Sequence, residues 1–171
     1  AAVGDVPYLP GTVSSAAYGV LKSGADIVKV GVRGPENKRE ATDLMDKVVK
    51  AASEMSSRVV TCGYGDFERA GTIDPMVVPE VAHESGSDIA MLDTAVKDGR
   101  PITDFLNRDE LQDFIESSRS LGLQAALAGS LTLKEISILK ELNPDIVGVR
   151  GAVCRDNDRR KGIISEESVR E

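Results

Sequence analysis

The 171-residue sequence has no apolar run near the roughly 18 residues that a membrane span needs. No signal-peptide pattern opens it. Cysteine is scarce: Cys62 and Cys154 lie far apart and form no C-x-x-C pair. That excludes a disulfide scaffold and a cysteine zinc site, and makes a reducing cytoplasm the expected location. Histidine is rarer still. His83 stands alone between Glu80 and Glu84 on a helical stretch, where a surface position is expected rather than a metal site. A surplus of basic residues is also missing. The 21 Lys and Arg against 28 Asp and Glu leave a net charge of −7. A general nucleic-acid binder needs a basic face to displace phosphate counterions, so that class is excluded. What remains is 41% hydrophobic and 29% charged, which is globular rather than disordered. The length fits a single domain over 1–171.

Strand and helix patterns alternate along the chain. Short apolar runs suited to strands lie at Ala1–Val6, Asp26–Val32, Arg58–Tyr64, Asp88–Thr94, Leu123–Ala128 and Asp145–Arg150. Helical spacing follows each of the first five. It covers Val13–Lys22 after a Pro10-Gly11 loop, then a stretch starting at Pro35 and running through Ala41, Leu44, Met45, Val48 and Ala52. Later helices start at Asp74-Pro75, run through Leu111, Phe114 and Ile115, and follow Thr132 with its capping-box Glu135. Ser165–Glu171 reads as the opening turn of one more. No hairpin signal joins adjacent strands, so a parallel sheet with helical crossovers is expected.

An internal repeat separates the two parallel architectures. Ser23-Gly-Ala-Asp26, Ser85-Gly-Ser-Asp88 and Asn143-Pro-Asp145 each lead into an isoleucine and a small apolar residue. The device falls on every second strand. A barrel interior draws its layers from alternate strands, whereas a doubly wound sheet gives no such pattern. The expected fold is therefore a (β/α)8 TIM barrel. Such a barrel takes at least about 200 residues, and only six units are present. The chain also opens on Ala1 rather than Met. The expectation is a single barrel domain that lacks its first two β/α units.

Side-chain parity selects candidate functional residues. One set, Val28, Val30, Ala90, Leu92, Val147 and Val149, is apolar and suits packing under helices. The other, Ile27, Lys29, Gly31, Ile89, Met91, Asp93, Ile146, Gly148 and Arg150, carries every charge within these strand cores and should face the barrel interior. A lysine there is costly unless it is paired or its pKa falls, so Lys29 is the most informative residue. Asp93 lies at the carboxyl end of its strand, where barrel enzymes place catalytic groups, and Lys97 follows close by. Gly129-Ser130 and Arg150-Gly151 follow the last two strands, where barrels cradle phosphate at helix N-termini. Asp5, Tyr64 and Asp66 lie at strand ends on the same face, without an assigned role. Cys62 reads as a buried strand residue. Cys154 opens the charged run Arg155–Lys161, a solvated loop or a phosphate-closing segment.

These residues together resemble a known family. Gly4–Tyr8 (Gly-Asp-Val-Pro-Tyr), Pro10–Ser14, Lys29-Val-Gly31, Pro79–Ala82, Asp93–Gly99, Ala126–Ser130 and Gly148–Ala152 are similar to the (5-formylfuran-3-yl)methyl phosphate synthases of methanofuran biosynthesis, also called 4-(hydroxymethyl)-2-furancarboxaldehyde-phosphate synthases. The resemblance implies a (β/α)8 barrel that condenses two glyceraldehyde 3-phosphate molecules into a furan aldehyde phosphate, with loss of one phosphate and of water. It implies aldolase-like Schiff-base chemistry with no metal or organic cofactor. Lys29 would be the acid/base lysine, its pKa lowered by burial and by the imine-forming lysine. Asp93 and Lys97 would complete the proton-transfer set. The family's imine-forming lysine ends the second barrel strand, and no residue of this chain matches it. Two other readings stay open: another class I Schiff-base phosphosugar aldolase or isomerase, and a non-catalytic triose-phosphate-binding protein. All three take a small phosphosugar and need neither nucleic acid nor membrane; the sequence leaves a homo-oligomer open.

Overall fold

A computed structural model describes residues 1–155 and 162–170. Its frame is one six-stranded sheet: β1 (Ala2–Gly4), β2 (Ile27–Gly31), β3 (Arg58–Tyr64), β4 (Ile89–Asp93), β5 (Gln124–Leu127) and β6 (Ile146–Val147). All five strand pairs are parallel, and the order is sequential from β1 to β6. A doubly wound sheet reverses its order at a switch point, whereas a barrel winds continuously in one direction. The observed order is that of a barrel. The helices are α1 (Pro10–Lys22), α2 (Lys38–Ala52), α3 (Phe67–Ala70), α4 (Val78–Ser85), α5 (Arg108–Ser120), α6 (Leu133–Leu142) and α7 (Glu166–Arg170). No helix of the described residues is long and apolar enough to cross a membrane.

Parity divides the sheet as the strand pattern predicts. Val28, Val30, Ala90 and Leu92 are fully buried in the large core with α1, α2, α4 and α5, through residues such as Ala17, Leu44, Val81 and Phe114. The opposite face has a second, smaller apolar cluster. Val60, Ile89 and Ala126 pack there with Ile27, Met91 and Ile146. This layer closes the floor beneath the charged residues nearer the carboxyl ends of the strands.

The repeated aspartate has a structural purpose. The Asp88 carboxylate accepts the Val59 amide at 2.7 Å, and the Asp145 carboxylate accepts the Ala125 amide at 2.8 Å. In return, the amides of Asp88 and Asp145 donate to the carbonyls of Val59 and Ala125. Each aspartate thus closes a ring with the first buried residue of the preceding strand and fixes the register at its start.

Several boundaries differ from the sequence expectation. Pro10 and Gly11 belong to α1, because proline suits a first helical position. The α2 helix starts after Asn37, whose side chain accepts the Glu40 amide at 3.0 Å, and not at Pro35. Asp74 caps a 3-10 turn, Pro75–Val77, that runs into α4. The sixth strand ends at Val147, and Val149 is exposed rather than packed under a helix. Among the described residues β6 pairs only with β5, so nothing on its far side extends it. Cys62 is buried in β3 as expected, and Cys154 is buried in an isolated bridge to Ile164. Most of the charged run after it, 156–161, lies outside the described residues.

Removing the Asp88 carboxylate leaves the amide of buried Val59 without its side-chain acceptor. Asp88→Ala should destabilise the fold by about 1 kcal/mol, while Asp88→Asn, which keeps an acceptor oxygen, should retain most of that. Denaturant unfolding of the two variants checks the clip, and equal stability of both would refute it.

Candidate active site

Three parallel strands bring the charged residues together. Lys29 lies mid-strand in β2, Asp93 is the last residue of β4, and Lys97 sits in the loop that follows. Lys29 Nζ donates to Asp93 Oδ2 at 2.6 Å, and Lys97 Nζ donates to Oδ1 at 2.7 Å. The Thr94 amide donates to the same Oδ1 at 2.8 Å. Both oxygens of Asp93 are therefore occupied, each by an ammonium group. The side chains of Lys29, Asp93 and Lys97 are 25%, 12% and 33% exposed, so the set is partly dry yet open to a ligand.

This geometry sets the charges. Burial opposes the charge on Lys29, but Cys62 and Asp93 beside it outweigh that and raise its pKa above the ordinary amine value. Burial pushes the Cys62 thiol up to about 12. The thiol is thus neutral below that pH, and Asp93 is the partner that holds Lys29 charged. Burial would raise Asp93, yet Lys29 and Lys97 hold it below the ordinary carboxylate value. Of the two causes expected to lower the Lys29 pKa, burial is present but pairing outweighs it, and the resting residue is an ammonium group.

Gly31 stands two residues beyond Lys29 on the same face. A Cβ there would collide with the Asp5 carboxylate and the Tyr64 hydroxyl, so the missing side chain makes room for both. The Tyr64 hydroxyl donates to Asp5 above it. Burial, Cys62 and Asp5 all raise the Tyr64 pKa, so the phenol stays protonated. Asp5 and Tyr64 share a small cavity of about 70 Å³ with Lys29, Arg33, Asp93 and Lys97. Asp66, grouped with them in the sequence, is not a lining residue. Its carboxylate is turned to the backbone amides of Ala95 and Val96, at 2.6 and 2.9 Å.

The main cleft, about 810 Å³, brings all seven candidate residues together: Lys29, Asp93, Lys97, Gly129, Ser130, Arg150 and Gly151. Gly129 has φ +114°, and a Cβ there would press on Thr94 and Ile102. The turn thus lies tightly against the end of β4. Ser130 follows with φ 49°. Beyond it, Thr132 and Glu135 close a reciprocal capping box at the start of α6. Among the described residues Gly151 opens a short 3-10 turn, Gly151–Val153, in place of the expected second helix N-terminus. Arg150 is exposed at that rim. Met91, placed on the interior face by its parity, lines the cleft, and so do Asp98 and Thr132. The last two sit on loops without periodicity, so no sequence pattern marks them. His83 is exposed at the surface, its ring Nδ1 3.1 Å from the Leu121 carbonyl. Among the described residues no three His, Cys, Asp or Glu converge as metal ligands.

The sign of the shifts fixes a pH window. Asp93, depressed, contributes stability that is complete above its ordinary value of 3.8 and is lost as pH falls through the lower folded value. Lys29, raised, contributes stability that is complete below its ordinary value of 10.5 and is lost as pH rises through the higher folded value. Between those limits the pair stays charged. In the resting protein the Lys29 ε-carbon resonance should therefore not titrate below pH 10.5. A titration at about 7–8, the range tuned for a base lysine, would overturn this assignment.

A family model described as 4-HFC-P synthase matches residues 1–171. The chain is 53% identical, over 173 residues, to the (5-formylfuran-3-yl)methyl phosphate synthase of Methanococcus aeolicus; the match covers 100% of this chain and 74% of the relative. It is 49% identical to the protein of that name from Methanocaldococcus jannaschii, with 100% and 74% covered. Among solved structures, 3-hexulose-6-phosphate synthase matches with a TM-score of 0.57 at 17% identity, covering 82% of this chain and 59% of that one. A putative lyase/mutase from Burkholderia cenocepacia matches at 0.60 and 15%, covering 86% and 53%. At such identities these two likenesses show the fold alone, an α/β fold of TIM-barrel type. The sequence relatives, at roughly half identity along the whole chain, show more: this chain is an enzyme of the 4-HFC-P synthase family.

Proposed function

We propose that this chain is a (5-formylfuran-3-yl)methyl phosphate synthase of methanofuran biosynthesis. It condenses two glyceraldehyde 3-phosphate molecules, losing one phosphate and water, by lyase-type Schiff-base chemistry. The observation that carries the proposal is the bridging of Asp93 by two lysines inside the cleft that Gly129, Ser130, Arg150 and Gly151 also line. Cavities for small ligands run to about 300–1,000 Å³, and this cleft, at about 810 Å³, is of that size.

In this reading the six strands are six consecutive staves of a single (β/α)8 barrel domain. Support comes from the sequential order and from the outer edges of β1 and β6, which pair with no other strand among the described residues. Two more strands would close the ring, and the imine-forming lysine belongs to that missing pair. The imine withdraws electrons and eases proton removal beside the former carbonyl. Lys29 is an ammonium group at rest; the positive imine beside it lowers its pKa, and as the free amine it removes protons at the reacting carbons and returns them. Asp93 holds Lys29 and Lys97 and passes protons between them through phosphate elimination, ring closure and dehydration. The turn at Gly129-Ser130 and the rim at Arg150-Gly151 hold the retained phosphate with backbone amides and the guanidinium group.

Two measurements test this reading. The intact protein, incubated with glyceraldehyde 3-phosphate, should generate furan aldehyde absorbance; another aldolase, an isomerase or a simple binding protein would not. Lys29→Ala should lower the rate by about 10²–10⁴-fold, the usual worth of a general acid–base, with triose phosphate binding nearly intact. An unchanged rate would remove Lys29 from the mechanism. Borohydride trapping followed by peptide mapping should label a lysine other than Lys29, and labelling of Lys29 alone would reassign the imine.

A further inference from the structure

Asp66 lies two residues beyond the end of β3 and directly precedes α3, where a helix-capping role would be the ordinary reading. Its side chain makes no capping bond to α3. It is instead fully buried, with Oδ1 accepting the Ala95 amide at 2.6 Å and Oδ2 accepting the Val96 amide at 2.9 Å. Those two residues immediately precede Lys97. On the other side of Lys97, Asp98 is held by Arg69 at 2.8 Å. Arg69 Nη1 also lies 4.0 Å from Asp66 Oδ2. Arg69 and Arg100 both stack on the Phe105 ring, 5.1 and 4.7 Å from its centroid. The Gly65 amide donates to the Asp93 carbonyl at 2.8 Å, so the segment carrying Asp66 is itself tied to the end of β4. The backbone of Lys97 is thus fastened on both flanks, with its side chain reaching Asp93 at 2.7 Å.

We propose that Asp66 is a positioning residue for the reaction: a buried carboxylate that clamps the loop after β4 and so holds Lys97 against Asp93. The inference rests on the catalytic reading of Lys97 and Asp93, but the clamp itself can be observed without turnover. Asp66→Asn keeps size and burial. An asparagine amide group can accept only one of the two backbone N–H groups and presents a donor to the other. The loop should loosen, and Lys97 should leave Asp93.

The Asp93 carboxyl is the reporter. It is faced by Lys29 from β2, Cys62 and Tyr64 from β3, Asp5 and Arg33 from the first two loops, Lys97 and Asp98 from the loop after β4, and Arg150 across the cleft. Lys97 and Asp98 both sit on the clamped loop, but of the two only Lys97 bonds to the Asp93 carboxyl. In Asp66→Asn of the intact protein, carbon NMR of the Asp93 carboxyl should show its pKa rising toward the ordinary value, as it does in Lys97→Ala. The rise should be absent when Lys97→Ala is already present. In the same samples kcat should fall about a hundred-fold, as expected from an ångström-scale misplacement, with KM little changed. Adding Asp66→Asn to Lys97→Ala should cost little more. Arg69→Met removes only the surface end of the clamp, so it should shift Asp93 in the same direction by less; it also serves as the readout if Asp66→Asn does not fold. An Asp93 pKa that stays put in the folded clamp variants would overturn the proposal. So would losses in kcat that multiply with those of Lys97→Ala. A shifted Asp93 with an unchanged rate would instead uphold the clamp and discard the catalytic reading of Lys97.

Discussion

A partly buried carboxylate with an ammonium group on each oxygen persists only if the segments carrying all three are held in register. Taking each ion out of water costs several kcal/mol, and attraction repays that only when the geometry is kept. Here Asp93 meets Lys29 at 2.6 Å and Lys97 at 2.7 Å. Three elements converge on that distance: β2 carries Lys29, β4 carries Asp93, and β3 lies between them. The sheet register is the true support of the site. It is fixed at the strand starts by Asp88 on the Val59 amide, and at the strand ends by the Gly65 amide on the Asp93 carbonyl. The apolar layer of Ile27, Val60 and Ile89 packs between these two fixings.

The charge of the cleft runs against that of the whole chain. The chain carries −7 overall, yet Lys29, Lys97 and Arg150 outnumber Asp93 and Asp98 along the cleft. Much of the acid is spent on outward pairs: Glu80 and Glu84 both hold Lys38, and Asp43 holds Lys47. An anionic ligand entering the cleft leaves an acidic exterior for a cationic interior, where low dielectric strengthens the attraction. A cleft of this kind suits the phosphorylated substrates proposed for it, despite the acidity of the whole chain.

The sequence made some of this legible and hid the rest, for physical reasons. Strand parity has a period of two, so Lys29 and Asp93 could be placed on one face of the sheet from spacing alone. The repeated Asp-Ile device revealed the alternate strands, although its purpose, the clip on the neighbouring amide, emerges only from register. Loop contacts have no period. Nothing in the order of Gly63-Tyr-Gly-Asp66 distinguishes Tyr64, which meets Asp5 above Gly31, from Asp66, which turns to the amides of Ala95 and Val96. The β6 boundary failed because strand length depends on a partner strand as well as on composition. The Lys29 pKa failed in direction, since burial can be guessed from an apolar strand but a carboxylate at 2.6 Å cannot.

That error has a chemical consequence. An ammonium group held above its ordinary pKa is a poor acid, and a carboxylate held below its own is a poor base. The resting set is therefore stable and nearly inert, which suits an enzyme whose proposed substrate and product are reactive aldehydes. Something in the reaction must unbalance it. A cationic imine formed beside Lys29 would do so, because a like charge nearby disfavours the ammonium form and lowers its pKa. A phosphate dianion drawn toward Lys97 would act on Asp93 from the other side, by competing for the ammonium group that keeps the carboxylate weakly basic. In the proposed reaction the proton-transfer set thus becomes active only when both substrate charges are present. The pairing that makes Lys29 look unfit as a base at rest is what ties its activity to an occupied site.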